Sequence, residues 1–438
     1  MISKKKFASK KKAPRAKPAK TRASKSRAAA KKTVKTARNR PAAKVPRTGK
    51  AVAAKKPSRK AAAKATIAPL RHKALRGVGL ELFGACATST TPTIFLLRGN
   101  GVYQYVPGKT PLPWLAIDPP PKLLPIYGFG AAQNVVTGIN DLFASVFSSD
   151  DELWVMSVGY STGIVWSNSG HPQKAEISAG LGTVVGVDGL STSLILGSDG
   201  NVWWNDVDPD QPVNNQSWTN IGQPSGGFMA FSTAAMVGAG GGPLLWGIGK
   251  NGLVQASYDG RIWNWNSFPL PAGAATIAST TGGLYLPSSL NPDGVWFGIC
   301  CTDATGEASN LFVNYRDNGT WRWLSLGRPP QTKNVTGVGI AGGVANWLST
   351  PFFYVIADDG NLWRVTTTGQ WTNCQQPASR SLATGGGAVR ILDPSPDRVC
   401  NHVFVVDVKQ GVWDFQYTLA GQKFVPLPIP PLPPARAR

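Results

Sequence analysis

Apolar residues in this chain come in short runs broken at regular intervals by tight turns, from Gly77 to the C-terminal prolines. Examples are "FLLRGNGVYQYV", "LILGSDGNVWW", "LLWGIGKNGLVQAS", "FYVIADDGNLWRV" and "FVVDVKQGVWDFQ", which turn near Gly101, Gly200, Gly252, Gly360 and Gly411. Two further turns fall near Asp151 and Glu307. No segment sustains a 3.6-residue apolar period, so the runs predict antiparallel strands and not helices. A Gly- and Val-rich strand precedes most turns, as in "VVTGIND", "TVVGVDG" and "VTGVGIAGG". An aromatic strand entering a Pro or Gly joint follows, as in "SWTNIGQP", "TWRWLSLGRPP" and "QWTNCQQP".

One unit therefore reads small-residue strand, apolar strand, turn, aromatic strand, last aromatic strand, and it recurs about every fifty residues. Seven such units predict an all-β fold, a seven-bladed β-propeller of four-stranded blades over residues 75–430. Small residues suit the crowded strand nearest the axis, and large Trp residues suit the widening wedge between blades. The Asp-Gly and Asn-Gly pairs predict two-residue hairpins, whose turns need positive φ. Most of the sixteen Trp are thereby expected to be scaffold.

The phrases "DGNLWRVTTTGQWTNCQQP", "DGNVWW" with "SWTNIGQP", and "GTWRWLSLG" resemble the repeats of tectonin-type and related seven-bladed propeller lectins. In those repeats an Asp-Gly-x-apolar-aromatic turn pairs with a terminal Trp-Thr-x-Ile/Leu-Gly. The resemblance spans the domain by period and about three units by motif; units one, four and seven depart from it, and "KFVPLPIP" lacks the Trp. It implies glycan binding. The chromatin-associated regulator-of-condensation propellers are echoed more loosely, by "GVYQY" and "GVWDFQ".

Residues 1–74 break the strand pattern entirely. They hold little but Lys, Arg, Ala, Pro, Ser, Thr and Val, and up to Arg76 there are 28 Lys and Arg with no acid, the first being Glu81. The remainder carries 18 bases against all 23 acids, so the net charge of +23 is +28 up to Arg76 and −5 beyond it. Like charge with few large apolar residues predicts a tail that is disordered by itself. Its composition is similar to the Lys-Ala-Pro tails of linker histones and bacterial histone-like proteins. Such a tail neutralises phosphates and releases counterions without reading bases. Lys4, Lys5, Lys6, Lys10, Lys11, Lys12, Arg15, Lys31, Lys32, Lys55, Lys56, Arg59 and Lys60 are the candidate nucleic-acid contacts. Phosphorylation at Ser24, Ser26 or Ser58 would lower that charge locally. A basic address or packaging arm is the other reading of the same residues.

Candidate chemistry is sparse. Acids cluster in turns (Asp150, Asp151, Asp199, Asp358 and Asp359), where hairpins favour them regardless of catalysis. There is no Gly-x-Ser-x-Gly elbow, and "GAGGGP" and "TGGGAV" lack the Lys-Ser/Thr of a phosphate loop. Three histidines and five cysteines without metal-ligand spacing predict no metal site, no cofactor and free buried thiols at Cys300 and Cys301. The chain reads as non-enzymatic. No run is long and apolar enough for a membrane helix.

Two functions follow as expectations. In one, the propeller is a protein-binding scaffold that the tail tethers to DNA, RNA or chromatin, in the nucleus or nucleoid or in a virion. In the other it is a lectin whose tail is a targeting or packaging arm. Trp204, Trp265, Trp323 and Arg364, each beside a presumed core Trp, are the candidate ligand contacts for protein or glycan. The Pro/Arg-rich end, residues 431–438, predicts an extended segment after a closing strand, with "PPLPPAR" a candidate ligand for aromatic-lined grooves.

Overall fold

The second strand of each unit is apolar without alternation, as in "VWFGICCT", and a strand of that kind must bury both faces. A computed structural model shows how it does so. The structure describes residues 80–431 apart from 88–90, 100, 109–110, 119–125, 135–140, 149–151, 160–162, 186–190, 208–217, 238–242, 250, 260, 287–292, 343–349, 392–400 and 419. The thirteen tail candidates from Lys4 to Lys60, the tail serines, Asp150, Asp151, Cys400 and the end beyond Pro431 lie outside the described residues.

Seven four-stranded antiparallel sheets follow one another along the chain, each an up-and-down meander in chain order. Blades 1 to 7 comprise residues 80–117, 126–170, 177–222, 228–269, 276–327, 335–375 and 382–427. The first strand of every blade packs against that of the next, and the first strand of blade 7 packs against that of blade 1. The ring is thus closed, and the fold is the expected seven-bladed propeller. Small residues are required where these inner strands meet. A Cβ on Gly337 would lie 2.2 Å from the Thr280 carbonyl oxygen, and one on Gly339 would lie 2.4 Å from the Ala388 amide nitrogen.

Each of the seven seams between neighbouring blades holds its own apolar cluster. A central strand serves two seams at once. In blade 5, Phe297, Ile299 and Cys301 face blade 4, whereas Trp296 and Cys300 face blade 6. Cys300 and Cys301 therefore point apart and are buried free thiols, as are Cys374 and, less deeply, Cys86.

Trp residues of the outermost strand latch one blade to the one before it. Trp166 Nε1 donates to Asp118 O at 2.6 Å, Trp218 to Ser169 O at 3.0 Å, Trp265 to Ile221 O at 2.8 Å and Trp371 to Leu326 O at 3.0 Å. Trp114 of blade 1 completes the series by donating to Pro428 O at 2.8 Å, just past the last strand of blade 7. The segment that follows stays on blade 1: the Tyr103 hydroxyl donates to Pro431 O at 3.0 Å, and Arg98 donates to Pro430 O. Gly421–Leu427 is the expected closing strand.

The turns correct one expectation. Two-residue loops occur in blades 1 and 4, where Arg98 pairs with Gly101 and Gly249 with Gly252. The Asp-Gly turns of blades 3 and 6 are one residue longer. Gly200 N–H donates to Gly197 O and Gly197 N–H to Asn201 O, with Gly200 at φ 80°; Gly360, Ala357 and Asn361 repeat this, with Gly360 at φ 75°. This is a three-residue loop ending in a left-handed residue. The longer loop leaves room for the acid to work. Asp199 and Asp359 accept from the amides of Asn201 and Asn361, and from the indoles of Trp203 at 3.3 Å and Trp363 at 3.1 Å. The repeated Asp-Gly-Asn-x-Trp phrase is therefore a turn that clamps its own Trp.

Candidate functional site

The third strand of a blade opens with a buried aliphatic residue: Val202, Leu253, Leu362 and Val412 in blades 3, 4, 6 and 7. The residue two positions on shares its face, because strand side chains alternate with period two, and so it points at the following blade. These slots hold Trp204, Gln255, Arg364 and Asp414. Gln255 and Asp414 are internally satisfied. Gln255 accepts from Asn266 at 3.1 Å, and buried Asp414 accepts from Gln416 at 2.7 Å, with His402 Nδ1 2.9 and 3.0 Å from its two oxygens. Trp204 and Arg364 meet aromatic rings instead.

At the seam between blades 3 and 4, Trp204 lies edge-on to Tyr258 at 5.0 Å and to Trp263 at 5.3 Å, and Tyr258 and Trp263 are 5.5 Å apart. All three rings are partly exposed. The Trp263 indole N–H has no acceptor among the described residues. Polar groups line the adjoining loop. Asp259 accepts from the amides of Ile262 and Arg261 at 2.9 Å and from Asn264 Nδ2 at 3.2 Å, and the two amide bonds hold its carboxyl below the usual carboxylate range. Ile262 is 59% exposed beside them.

At the seam between blades 6 and 7, the Arg364 guanidinium lies 4.7 Å from the Phe352 ring centre and 4.1 Å from that of Tyr417. Burial pushes the Cys374 thiol beside it up to about 12 and raises the Tyr354 hydroxyl as well. The two seams are variations on one plan. Tyr258 and Tyr417 each sit five residues after the buried aliphatic of their own third strand, Leu253 and Val412, so each covers the slot of the preceding blade.

The four candidates from the sequence do not form one pocket. Trp204 and Trp265 share the seam between blades 3 and 4, where Trp265 is one of the latches. Trp323 packs at the seam between blades 4 and 5, and Arg364 lies at that between blades 6 and 7. Tyr258, Trp263, Phe352 and Tyr417 went unread in the sequence. Their signal was available only as a Tyr at the fifth place after the strand-opening aliphatic, in two units of the seven. Among the described residues no group of three or more His, Cys, Asp or Glu could hold a metal ion, and no helix is long and apolar enough to cross a membrane.

No protein-family model and no curated protein matches the chain. Solved structures similar to it include the SapL1 lectin in complex with α-methyl fucoside, at 12% identity over 81% of this chain and 98% of that one, with a TM-score of 0.41. AofleA from Arthrobotrys oligospora is 11% identical over 70% of this chain and 88% of its own, with a TM-score of 0.43. The fucose-specific lectin from Aleuria aurantia is 15% identical over 71% and 97%, with a TM-score of 0.41. Likeness at this level carries no inference about what this chain binds.

Proposed function

We propose that the propeller is a non-enzymatic glycan-binding domain that uses the seams between its blades. The observation that carries this reading is the wall of Trp204, Tyr258 and Trp263, with Asp259, Arg261 and Asn264 on the adjoining loop. Partly exposed rings offer the flat apolar surface against which the C–H face of a pyranose packs, and neighbouring amide and charged groups suit its hydroxyls. The resemblance of the units to tectonin-type lectin repeats supports the same reading. A glycan array probed with the full chain, followed by titration of the best ligand, tests it. Retained binding that weakens about tenfold or more in Trp204→Ala is expected; an array at background, or binding indifferent to Trp204 and Tyr258, sinks it.

A second reading concerns the tail and rests on the 28 Lys and Arg up to Arg76, with no acid among them. In it the tail binds DNA or RNA through phosphates, at a nucleoid, a nucleus or in a virion. Affinity for nonspecific DNA should then fall by about a thousandfold or more between 50 and 200 mM salt. Removal of residues 1–74 should abolish it; undiminished DNA binding by the shortened chain overturns this reading.

A further inference from the structure

The slot that holds Trp204 in blade 3 holds a cation in blade 6, and no described residue gives that cation a counter-ion. Arg364 is partly buried, yet no carboxylate among the described residues pairs with it. Its Nη1 is shut off from solvent and has no acceptor. Phe352 and Tyr417 flank the guanidinium with their rings, and Tyr354 and Cys374 lie near enough to act on it electrostatically. Two are phenols, one is a thiol, and the fourth is a hydrocarbon ring. Burial lifts the Tyr354 and Cys374 pKa values far above neutral pH, so neither supplies a negative charge.

A desolvated charge is costly unless it is paired, and here the partners among the described residues are the faces of two rings. Other arginines of the propeller are treated differently. Arg380 meets buried Asp407 at 3.4 Å, and Arg322 in blade 5 meets Asp317 at 3.3 Å. The two rings that clamp Arg364 also fix the plane of its guanidinium, so the donors are oriented before any ligand arrives.

We infer that the seam between blades 6 and 7 is an anion subsite for the carboxylate of an acidic sugar, with Arg364 as its counter-ion and Phe352 and Tyr417 as its walls. The inference rests on the glycan-binding reading and deepens it: the two related seams divide the work, neutral faces stacking at Trp204 and acidic groups pairing at Arg364. A planar carboxylate matches the guanidinium fork in a way that a neutral hydroxyl does not.

The test uses the full chain and three probes: methyl glucuronoside, methyl glucoside and acetate, each titrated by calorimetry at fixed ionic strength. The glucuronoside is expected to bind at least about tenfold more tightly than the glucoside, as a charge-assisted bond allows, and more tightly than acetate. In Arg364→Gln this preference should vanish. Any binding to the basic tail is common to wild type and variant and cancels in that comparison. Arg364→Met, which keeps the stacked aliphatic length, serves if the Gln variant unfolds. Equal binding of glucuronoside and glucoside, or a preference that survives both variants, overturns the inference. Acetate binding as tightly as the glucuronoside overturns its sugar component. Glucoside binding that depends on Trp204 without any acidic preference would leave the glycan reading standing and remove only this one, whereas an array with no ligand at all removes the reading beneath it.

Discussion

The indole of Trp371 in blade 6 donates to the main-chain carbonyl of Leu326 in blade 5 at 3.0 Å, and the same bond recurs at four other seams. A ring half-buried in an apolar wedge thus also supplies the polar tie between consecutive blades. Trp371→Phe keeps most of the apolar contact and removes the donor, so a loss of about 1 kcal/mol is expected. Trp371→Ala empties the wedge and should cost about 3 kcal/mol or more. Urea unfolding midpoints of the two variants separate the contributions; equal losses would show that the bond adds nothing beyond the ring.

Gln410 occupies, at φ 63° in blade 7, the turn position that Gly200 and Gly360 hold in blades 3 and 6. A side chain there costs about 1 kcal/mol, and exposed Gln410 gains no packing in return. Gln410→Gly should therefore stabilise the protein by about that amount. Gly360→Ala should destabilise it by more than Gly200→Ala does. A Cβ on Gly360 would meet Ser381 Cβ at 2.7 Å, whereas one on Gly200 meets only Gln223 Oε1 at 3.4 Å. Thermal melts of the three variants check the sign and the order.

Asp407 replaces the turn acids of blades 3 and 6 from a position two residues earlier and performs the same task. Its carboxylate accepts from Trp413 Nε1 at 2.9 Å and from the amides of Lys409 and Gly411 at 2.8 Å, and it meets Arg380 at 3.4 Å. Burial alone would raise its pKa, but these donors outweigh burial and hold it below the ordinary value. A pKa lower in the folded chain than in the unfolded one adds stability above the unfolded value of about 3.9, and that stability is lost as pH falls through the folded value. Asp407→Asn should therefore lower the unfolding midpoint at pH 7 and flatten its decline between about pH 5 and pH 2. A variant whose acid limb runs parallel to wild type argues against this role.

The blade plan was legible because each unit states it separately: Gly-rich inner strand, apolar strand, turn, Trp-bearing outer strands. Gly337 and Gly339 show why it had to be written that way, since backbone atoms of the neighbouring inner strands fill the space of a Cβ. Turn length was not legible. Asp-Gly suits a two-residue hairpin and a three-residue loop alike, and the longer loop shows only in the backbone bonds that join Ala357 to Gly360 and Asn361. Of the candidate ligand contacts, Arg364 stood out within its own phrase, but its walls did not. Phe352 lies on the strand before it and Tyr417 in the next unit, so the clamp exists only once two blades are side by side.

Cys300 and Cys301 offer a final test of the seams. They are adjacent in one strand yet serve opposite interfaces, Cys300 toward blade 6 and Cys301 toward blade 4. Both are fully buried, and burial pushes each thiol up to about 12, so almost no thiolate exists at pH 8. In a Cys86→Ser, Cys400→Ser background, a disulfide reagent at pH 8 should leave both thiols unmodified in the native protein and modify them at the rate of seam opening. Rates that rise with denaturant and then level off are expected, and Gly337→Ala, which forces the inner strands of blades 5 and 6 apart, should accelerate Cys300 more than Cys301. Mass spectrometry of the labelled peptide's fragments resolves the two sites. Equal acceleration would mean that the seams on either side of blade 5 open together.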